Sequence, residues 1–511
     1  MPNALKLIKL SRPNHTNLHT KFSSFKLKDF LLGKIIPFIK QSFSIQKISI
    51  KISYSLAIWV FSILTIFIIF QTTPAHTEDL FAVNHLKITP QDRILILAPH
   101  PDDEVLGTGG VIQKATQLNA SVKIVFFTYG DNNQWSFLIY RKRPIFTPKG
   151  ILRMGEIRRN EAIKSSITLG VKKENILFLG YPDFYTLQIW KHYWQASIPL
   201  TIPMTRVKAV PYNDAIRPGA PFKGQEILYD IEKIIHEYRP TKIFVSHPLD
   251  HHPDHQALYL FTMVALWNLE NKLACEIYPY LIHYKNWPRY EGFSIDKKLV
   301  PPPILKNRLL WTENDLSLDE SRIKYRALKK HKSQYKTNKK YLMSFIRSNE
   351  LFGEPSALVE KEINTSSIIA SLETTQEKFQ ESPFIDPKSI EIKNGFLKLL
   401  IINKDHTKQK NISSLYIFGY RNDMNFNIMP KLHIKITSSK YSVFNNNLSI
   451  PSTLISIMRI TPQKMLIQIP LHVLGYPEKA LVSISAHNSP ILRGSEWGEW
   501  DRLEIISPIK M

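Results

Sequence analysis

Hydrophobic and polar positions follow two different periods along this chain. Short apolar, branched runs occur at Ile94-Leu95-Ile96-Leu97-Ala98, Val122 to Thr128, Ile176 to Leu179 and Lys242 to Ser246. Between them lie longer stretches of helical spacing, at Val111 to Leu118, Arg153 to Leu169, Gly224 to Tyr238 and His255 to Leu269. Buried parallel strands read as continuous apolar runs, and alternation with helices predicts an α/β fold. The expected architecture is a Rossmann-like, mostly parallel sheet flanked by helices. From about Pro387 the period shortens to two, in runs such as Leu397 to Ile402, Leu415 to Phe418, Leu432 to Ile436 and Ala480 to Ser485. Asn, Gly, Pro and Ser separate these runs, which predicts an all-β sandwich. A third pattern is Ile52 to Phe70, uncharged and apolar. It is long enough to cross a hydrocarbon core of ~30 Å, and predicts a transmembrane helix. The expected organisation is therefore a basic segment at 1–51, a membrane anchor at 52–70, an α/β module at 88–352, a linker at 353–386 and a β-sandwich at 387–511.

Charge adds a direction to this picture. The formal net charge is +24, and the first 51 residues hold ten Lys or Arg against the single acid Asp29. Basic flanks stay on the cytoplasmic side. The expectation is a single-pass membrane protein with residues 1–51 cytoplasmic and the α/β module on the periplasmic or extracellular side. The run exceeds a usual signal core, which favours an anchor over cleavage after Ala75. The basic balance could also suit phosphates, but no helix-turn-helix, zinc-finger or RNA-stacking signature accompanies it, so no specific nucleic-acid partner is expected. Cys275 is the one cysteine. That excludes an internal disulfide and a cysteine-rich metal site.

Two motifs carry chemistry. His100-Pro101-Asp102-Asp103-Glu104 follows the first apolar run, and His247-Pro248-Leu249-Asp250-His251-His252-Pro253-Asp254-His255 follows the run Ile243-Phe244-Val245. Open α/β sheets bind ligands at the carboxyl ends of their strands. Two such ends bearing His and Asp can converge on one cleft, and two His with one carboxylate around an open position is a catalytic metal arrangement. Asp250 and Asp254 are placed to fix imidazole tautomers from behind. The chain lacks the Gly-x-Ser-x-Gly elbow of a serine hydrolase and the Gly-x-Gly-x-x-Gly form of a dinucleotide loop.

At these residues the chain resembles the PIG-L/LmbE family of metal-dependent N-acetylglucosamine-type deacetylases. His100 to Glu104 matches the family's first signature and His252 to His255 its second. Further matches are Arg158-x-x-Glu161 with Leu169-Gly170, Leu179-Gly180-Tyr181-Pro182-Asp183, and Lys324 to Gln334 with Glu350-x-Phe352, so that the similarity spans roughly 91–352. The resemblance implies one Zn2+ per chain, with Fe2+ as the alternative, held by His100, Asp103 and His255. It implies Asp102 as general base, His252 as the group that steadies the oxyanion or protonates the leaving amine, and Arg158 and Asp183 as contacts to substrate hydroxyls. The implied activity removes an N-acetyl group from an N-acetylated sugar or glycoconjugate. Two alternatives stand beside it: another amide hydrolase of the thiol-conjugate amidase type, and a catalytically silent surface glycan-binding protein. Glu104 reads as structural, and His247, His251 and His283 as hydrogen-bonded bystanders. The aromatic segment with Phe184, Tyr185, Trp190, Tyr193 and Trp194 has two equal readings, a wall that stacks sugar rings or a hydrophobic subcore. Trp497 and Trp500 read more readily as sandwich core than as a glycan site.

Overall fold

The computed structural model describes residues 83–141, 146–270, 272–288, 292–355, 358–359, 384–402, 412–437, 440–461, 464–486 and 498–504. In chain order the first half comprises β1 (Val83–His85), β2 (Arg93–Ala98), α1 (Asp103–Gln117), β3 (Ser121–Thr128), α2 (Gln134–Arg141), α3 (Pro148–Thr168), β4 (Ile176–Tyr181), α4 (Thr186–His192), α5 (Gly224–Tyr238), β5 (Lys242–Ser246), α6 (Pro253–Leu269), β6 (Glu276–Tyr280), β7 (Leu309–Asp315), α7 (Leu318–Leu328), α8 (Lys332–Met343) and β8 (Asn349–Pro355). The eight strands form one sheet in the order β1-β7-β8-β6-β5-β2-β3-β4.

This order positions the site. The chain steps outward from β2 through β3 and β4 on one side, then returns to β5 and β6 on the other. Strands β2 and β5 pair in parallel, Ile94 opposite Lys242 and Ile96 opposite Phe244. Their carboxyl ends therefore flank the topological switch point, and one motif leaves each of them. Helix α1 packs closely beneath the first motif, and its glycines serve that packing. A Cβ on Gly107 would lie 2.6 Å from the Tyr280 ring, and one on Gly110 would lie 2.7 Å from the Leu316 side chain.

The expected fold class is corrected in two respects. The sheet is mixed, because β8 runs antiparallel to both β6 and β7. Two helices, α7 and α8, separate β7 from β8. Strand β8 then runs back between β7 and β6, with Thr312 opposite Phe352 and Tyr280 opposite Phe352. The second correction concerns the membrane span. Among the described residues no helix is long and apolar enough to cross a membrane. The 17-residue α6 is largely apolar beyond its first turn because most of it is buried, and the 21-residue α3 carries charges throughout. The expected segments 1–51 and 52–70, with the membrane partner they implied, lie outside the described residues.

The C-terminal region builds further, largely antiparallel sheets. One has four strands, in the order β10 (Phe384–Lys393), β11 (Phe396–Ile402), β17 (Lys464–Pro470), β16 (Ser456–Thr461). The other has seven: β15 (Leu448–Ile450), β14 (Tyr441–Asn445), β13 (Lys431–Ile436), β12 (Ile412–Tyr420), β18 (Lys479–Ala486), β19 (Gly498–Glu504) and β9 (Leu358–Val359). Residues from both sheets, including Leu399, Ile417, Ile434, Ile467 and Val482, share a core. The outer face of the larger sheet is not left to solvent. Tyr416, Phe418, Tyr420, Phe426 and Leu481 join the core of the α/β half. Trp190 on α4 stacks on Phe418 and Phe426 at centroid distances of 5.5 and 5.7 Å. Trp267 on α6 meets Tyr420 at 5.0 Å. The Lys431 ammonium is buried in this seam, 4.7 Å from the Trp194 ring centroid, and donates to the carbonyl oxygens of Phe426 and Met429. The side chains of Trp497 and Trp500 are outside the described residues.

Candidate metal centre and active site

The first motif turns sharply out of β2. His100 donates its backbone N–H to Asp103 Oδ2 at 2.9 Å, which closes the turn before α1 begins. Asp102 occupies a backbone conformation that only glycine adopts readily, with φ 126° and ψ −24°. Three contacts hold it there. Its N–H donates to Glu104 Oε2 at 2.9 Å, Arg158 Nη2 donates to the Pro101 carbonyl at 2.8 Å, and the same Nη2 lies 3.6 Å from Asp102 Oδ1. Glu104 is itself fully buried against His331 Nε2 at 2.8 Å. The second motif enters α6 through His252, the N-cap, whose Nδ1 accepts the backbone N–H of Asp254. That bond leaves the ring proton on Nε2.

The two motifs meet in a small triangle. His100 Nδ1 lies 3.2 Å from Asp103 Oδ2 and 3.3 Å from His255 Nε2, and His255 Nε2 lies 3.1 Å from Asp103 Oδ2. Ligands about 2.0–2.1 Å from a tetrahedral metal ion stand roughly 3.3–3.4 Å from one another, so the triangle has the dimensions of a coordination face. Behind it each imidazole turns its other nitrogen to buried carboxylates. His100 Nε2 is 3.1 Å from both Asp183 Oδ1 and Asp254 Oδ2, and His255 Nδ1 is 3.1 Å from Asp250 Oδ2. Such carboxylate–imidazole pairs fix the tautomer that offers a lone pair on the metal side. The donor set therefore fits a divalent ion with a position left open.

Electrostatics support the same fit. Burial alone would lower the affinity of His100 and His255 for a proton, but the surrounding carboxylates reverse this. The His100 pKa stands well above its usual value, and that of His255 is raised to about 9. A field that draws protons onto buried imidazoles also draws a cation, whose binding would release those protons. Burial would raise Asp103, yet His255 and His100 hold it well below the usual carboxylate range. Asp102 behaves oppositely. Burial, with Asp103 and Glu104 nearby, raises it to about 7 against the opposing pull of Arg158 and His331. Two adjacent carboxyls thus differ in protonation behaviour. Burial and the neighbouring imidazoles hold His252 neutral, its pKa well below the usual value.

All nine residues singled out from the sequence converge here, though not all face the open side. Arg158 is 3% exposed and spends its guanidinium on the Gly130 and Pro101 carbonyls. Asp183 is also buried, between His100 and the Asn132 N–H. Asp250 gathers the N–H groups of His252, Ile282 and His283. His247 is a buried bystander whose Nδ1 accepts the Leu249 N–H. His283 is not: its ring centroid lies 4.8 Å from that of His255 and 5.3 Å from that of His252. Its place just beyond the carboxyl end of β6 was the available signal. His331 lies inside the Lys324 to Gln334 match, but nothing local pairs it with Glu104, more than two hundred residues away. Within the aromatic segment Trp190 and Trp194 are buried in the seam, and Phe184 is exposed beside His252.

Residues 95–266 match the model of the PIG-L family, described as GlcNAc-PI de-N-acetylase. No curated protein matches the chain. Similar solved structures include N,N'-diacetylchitobiose deacetylase from Pyrococcus horikoshii, at 20% identity over 49% of this chain and 75% of that one, with a TM-score of 0.30. The A40926 pseudoaglycone deacetylase Dbv21 is 17% identical over 52% of this chain and 97% of its own, with a TM-score of 0.34. GalB, the 4-carboxy-2-hydroxymuconate hydratase from Pseudomonas putida KT2440, is 14% identical over 50% of this chain and 83% of its own, with a TM-score of 0.31.

Proposed function

We propose, taking residues 95–266 as a PIG-L family module, that this chain hydrolyses the N-acetyl amide of an N-acetylated sugar or glycoconjugate with one divalent ion. The observation that carries this reading is the triangle of His100 Nδ1, Asp103 Oδ2 and His255 Nε2, with sides of 3.1–3.3 Å and carboxylates behind both imidazoles. Zinc suits two imidazoles and a carboxylate. When bound, such an ion acidifies a water and polarises a carbonyl. The N-acetylated sugar is taken from the family description.

The residues then divide the work. Asp102 accepts the proton of the attacking water, a task suited to a carboxyl near neutrality. Its left-handed backbone separates its direction from that of Asp103, so that one acid can hold the ion while its neighbour handles protons. His252, protonated on Nε2 because Nδ1 is occupied, donates to the carbonyl oxygen as negative charge gathers on it. As the acyl C–N bond breaks, the proton held by Asp102 passes to the departing nitrogen, and acetate and free amine result. Asp250, Asp254 and Asp183 keep the imidazoles in the required tautomers.

The test uses the purified chain. Bound metal is measured by elemental analysis, and amine release from N-acetylglucosamine glycosides is followed with and without chelator. Stoichiometric zinc with chelator-sensitive release is the expected result. A chain that binds no divalent ion overturns the reading.

A further inference from the structure

We propose that Phe184 is a sugar-binding platform at the mouth of the site, the flat apolar surface on which an N-acetylhexosamine ring rests while its acetamide reaches the metal centre. This rests on the deacetylase reading above and assigns the amine side of the substrate. Three observations carry it. The Phe184 ring lies 4.4 Å from that of His252, the imidazole directed at the carbonyl oxygen, so a group attached to the amide reaches it directly. The ring is 47% exposed, whereas Trp190 and Trp194 from the same segment are 0% and 2% exposed, so packing does not account for the aromatic side chain. Its backbone is left-handed, with φ 70°, a conformation that glycine would adopt without strain.

The backbone that carries the ring is also anchored. The Phe184 N–H donates to Asp254 Oδ2 at 2.6 Å, and the same oxygen faces His100 Nε2. Helix α4 then starts at Thr186, whose N–H and hydroxyl donate to the other Asp254 oxygen. One buried carboxylate thus sets both the metal-side imidazole and the exposed ring. A pyranose presents C–H groups on one face and hydroxyls at its rim. An aromatic face next to polar groups recognises that combination.

The experiment compares a methyl glycoside of N-acetylglucosamine with the acyclic amide N-acetylethanolamine, using the full chain. The readout is the ratio of their kcat/KM values. F184A is expected to lower that ratio about 10-fold, mainly through the sugar's KM, and F184W to hold it within about 3-fold of the parent. F184G suits the left-handed backbone and keeps the test informative if F184A folds poorly. It should show the same loss of selectivity with an undiminished Tm. A ratio unchanged in both F184A and F184G overturns the platform. So does a parent chain that hydrolyses only the acyclic amide, a result that leaves the hydrolase reading standing. A metal-loaded parent that hydrolyses neither overturns the deacetylase reading and this inference with it.

Discussion

Replacing Asp254 with Asn tests how the metal centre is built. The carboxylate is fully buried and uses both oxygens. Oδ1 accepts the Thr186 N–H at 3.1 Å and the Thr186 hydroxyl, while Oδ2 accepts the Phe184 N–H at 2.6 Å and faces His100 Nε2 at 3.1 Å. Asparagine retains one acceptor. With that oxygen toward Thr186, the amide NH2 confronts the Phe184 N–H, and a buried donor left without an acceptor costs about 1–3 kcal/mol. His100 Nε2 then faces an amide donor and keeps Asp183 Oδ1, also at 3.1 Å, as its one carboxylate acceptor, which weakens the preference that holds its proton on Nε2 and leaves Nδ1 free in the coordination triangle. The expected result is a loss of about 2–5 kcal/mol in stability and a 10- to 100-fold fall in zinc affinity. Zinc titration against a competing chelator at pH 7.5, with denaturant unfolding alongside, measures both. Thr186→Val serves as control, since it removes the hydroxyl bond but leaves His100 its partner. It should cost about 1 kcal/mol and leave zinc affinity unchanged. An Asn variant that binds zinc within about 3-fold of the parent would refute the tautomer argument.

Asp102→Asn should retain metal in elemental analysis while amine release falls below detection. Measurable turnover above pH 7 in that variant would remove Asp102 from the proton-handling role. Trp190→Ala should lose about 3–5 kcal/mol, because the indole is fully buried against Phe418, Phe426 and Phe261. A double-mutant cycle with Phe426→Ala should show a coupling above about 0.5 kcal/mol, and additive losses would argue against a shared core. Lys431→Met should change stability in a pH-dependent way. Burial lowers the folded Lys431 pKa to about 7, so the folded chain binds fewer protons than the unfolded chain from about pH 7 up to the ordinary lysine range. The cost of burying the ammonium is full below pH 7 and fades above it. The stability of the Met variant relative to the parent should therefore be highest near pH 6 and fall toward pH 10. A flat difference between denaturant midpoints at those two pH values contradicts this.

What could be read from the residues was local. The strands before His100 and before His247 announced themselves by short apolar runs, and both motifs followed them directly. Order within the sheet then brought the motifs together, since β2 and β5 pair. Strand β8 was hidden by polar residues. Those residues pair inward: Glu350 accepts the N–H groups of Gly110 and Val111 inside α1 and binds the Lys324 ammonium at 2.7 Å. Arg158 reads as a substrate contact through the family resemblance alone, because nothing nearby in sequence supplies the partners that its buried guanidinium finds. Its partners are carbonyls from two other loops. The aromatic segment was undecidable for a related reason. Whether Trp190 faces substrate or core depends on Phe418 and Phe426, more than two hundred residues later.

The aromatic seam between α4, α6 and the later sheet also bears on how the chain is made. Trp190, Trp194, Phe261 and Trp267 emerge from the ribosome well before Phe418, Tyr420 and Phe426 exist to cover them. From residue 355, where the first eight strands are all synthesised, to residue 426 a ribosome working at about 5–20 residues per second needs roughly 4–14 s. Throughout that interval the nascent α/β half carries an uncovered aromatic stripe. A chain terminated just after residue 355 would carry it permanently, and contiguous apolar surface of this kind promotes self-association. The point at which the α/β half is complete in sequence therefore precedes the point at which its aromatic stripe is covered.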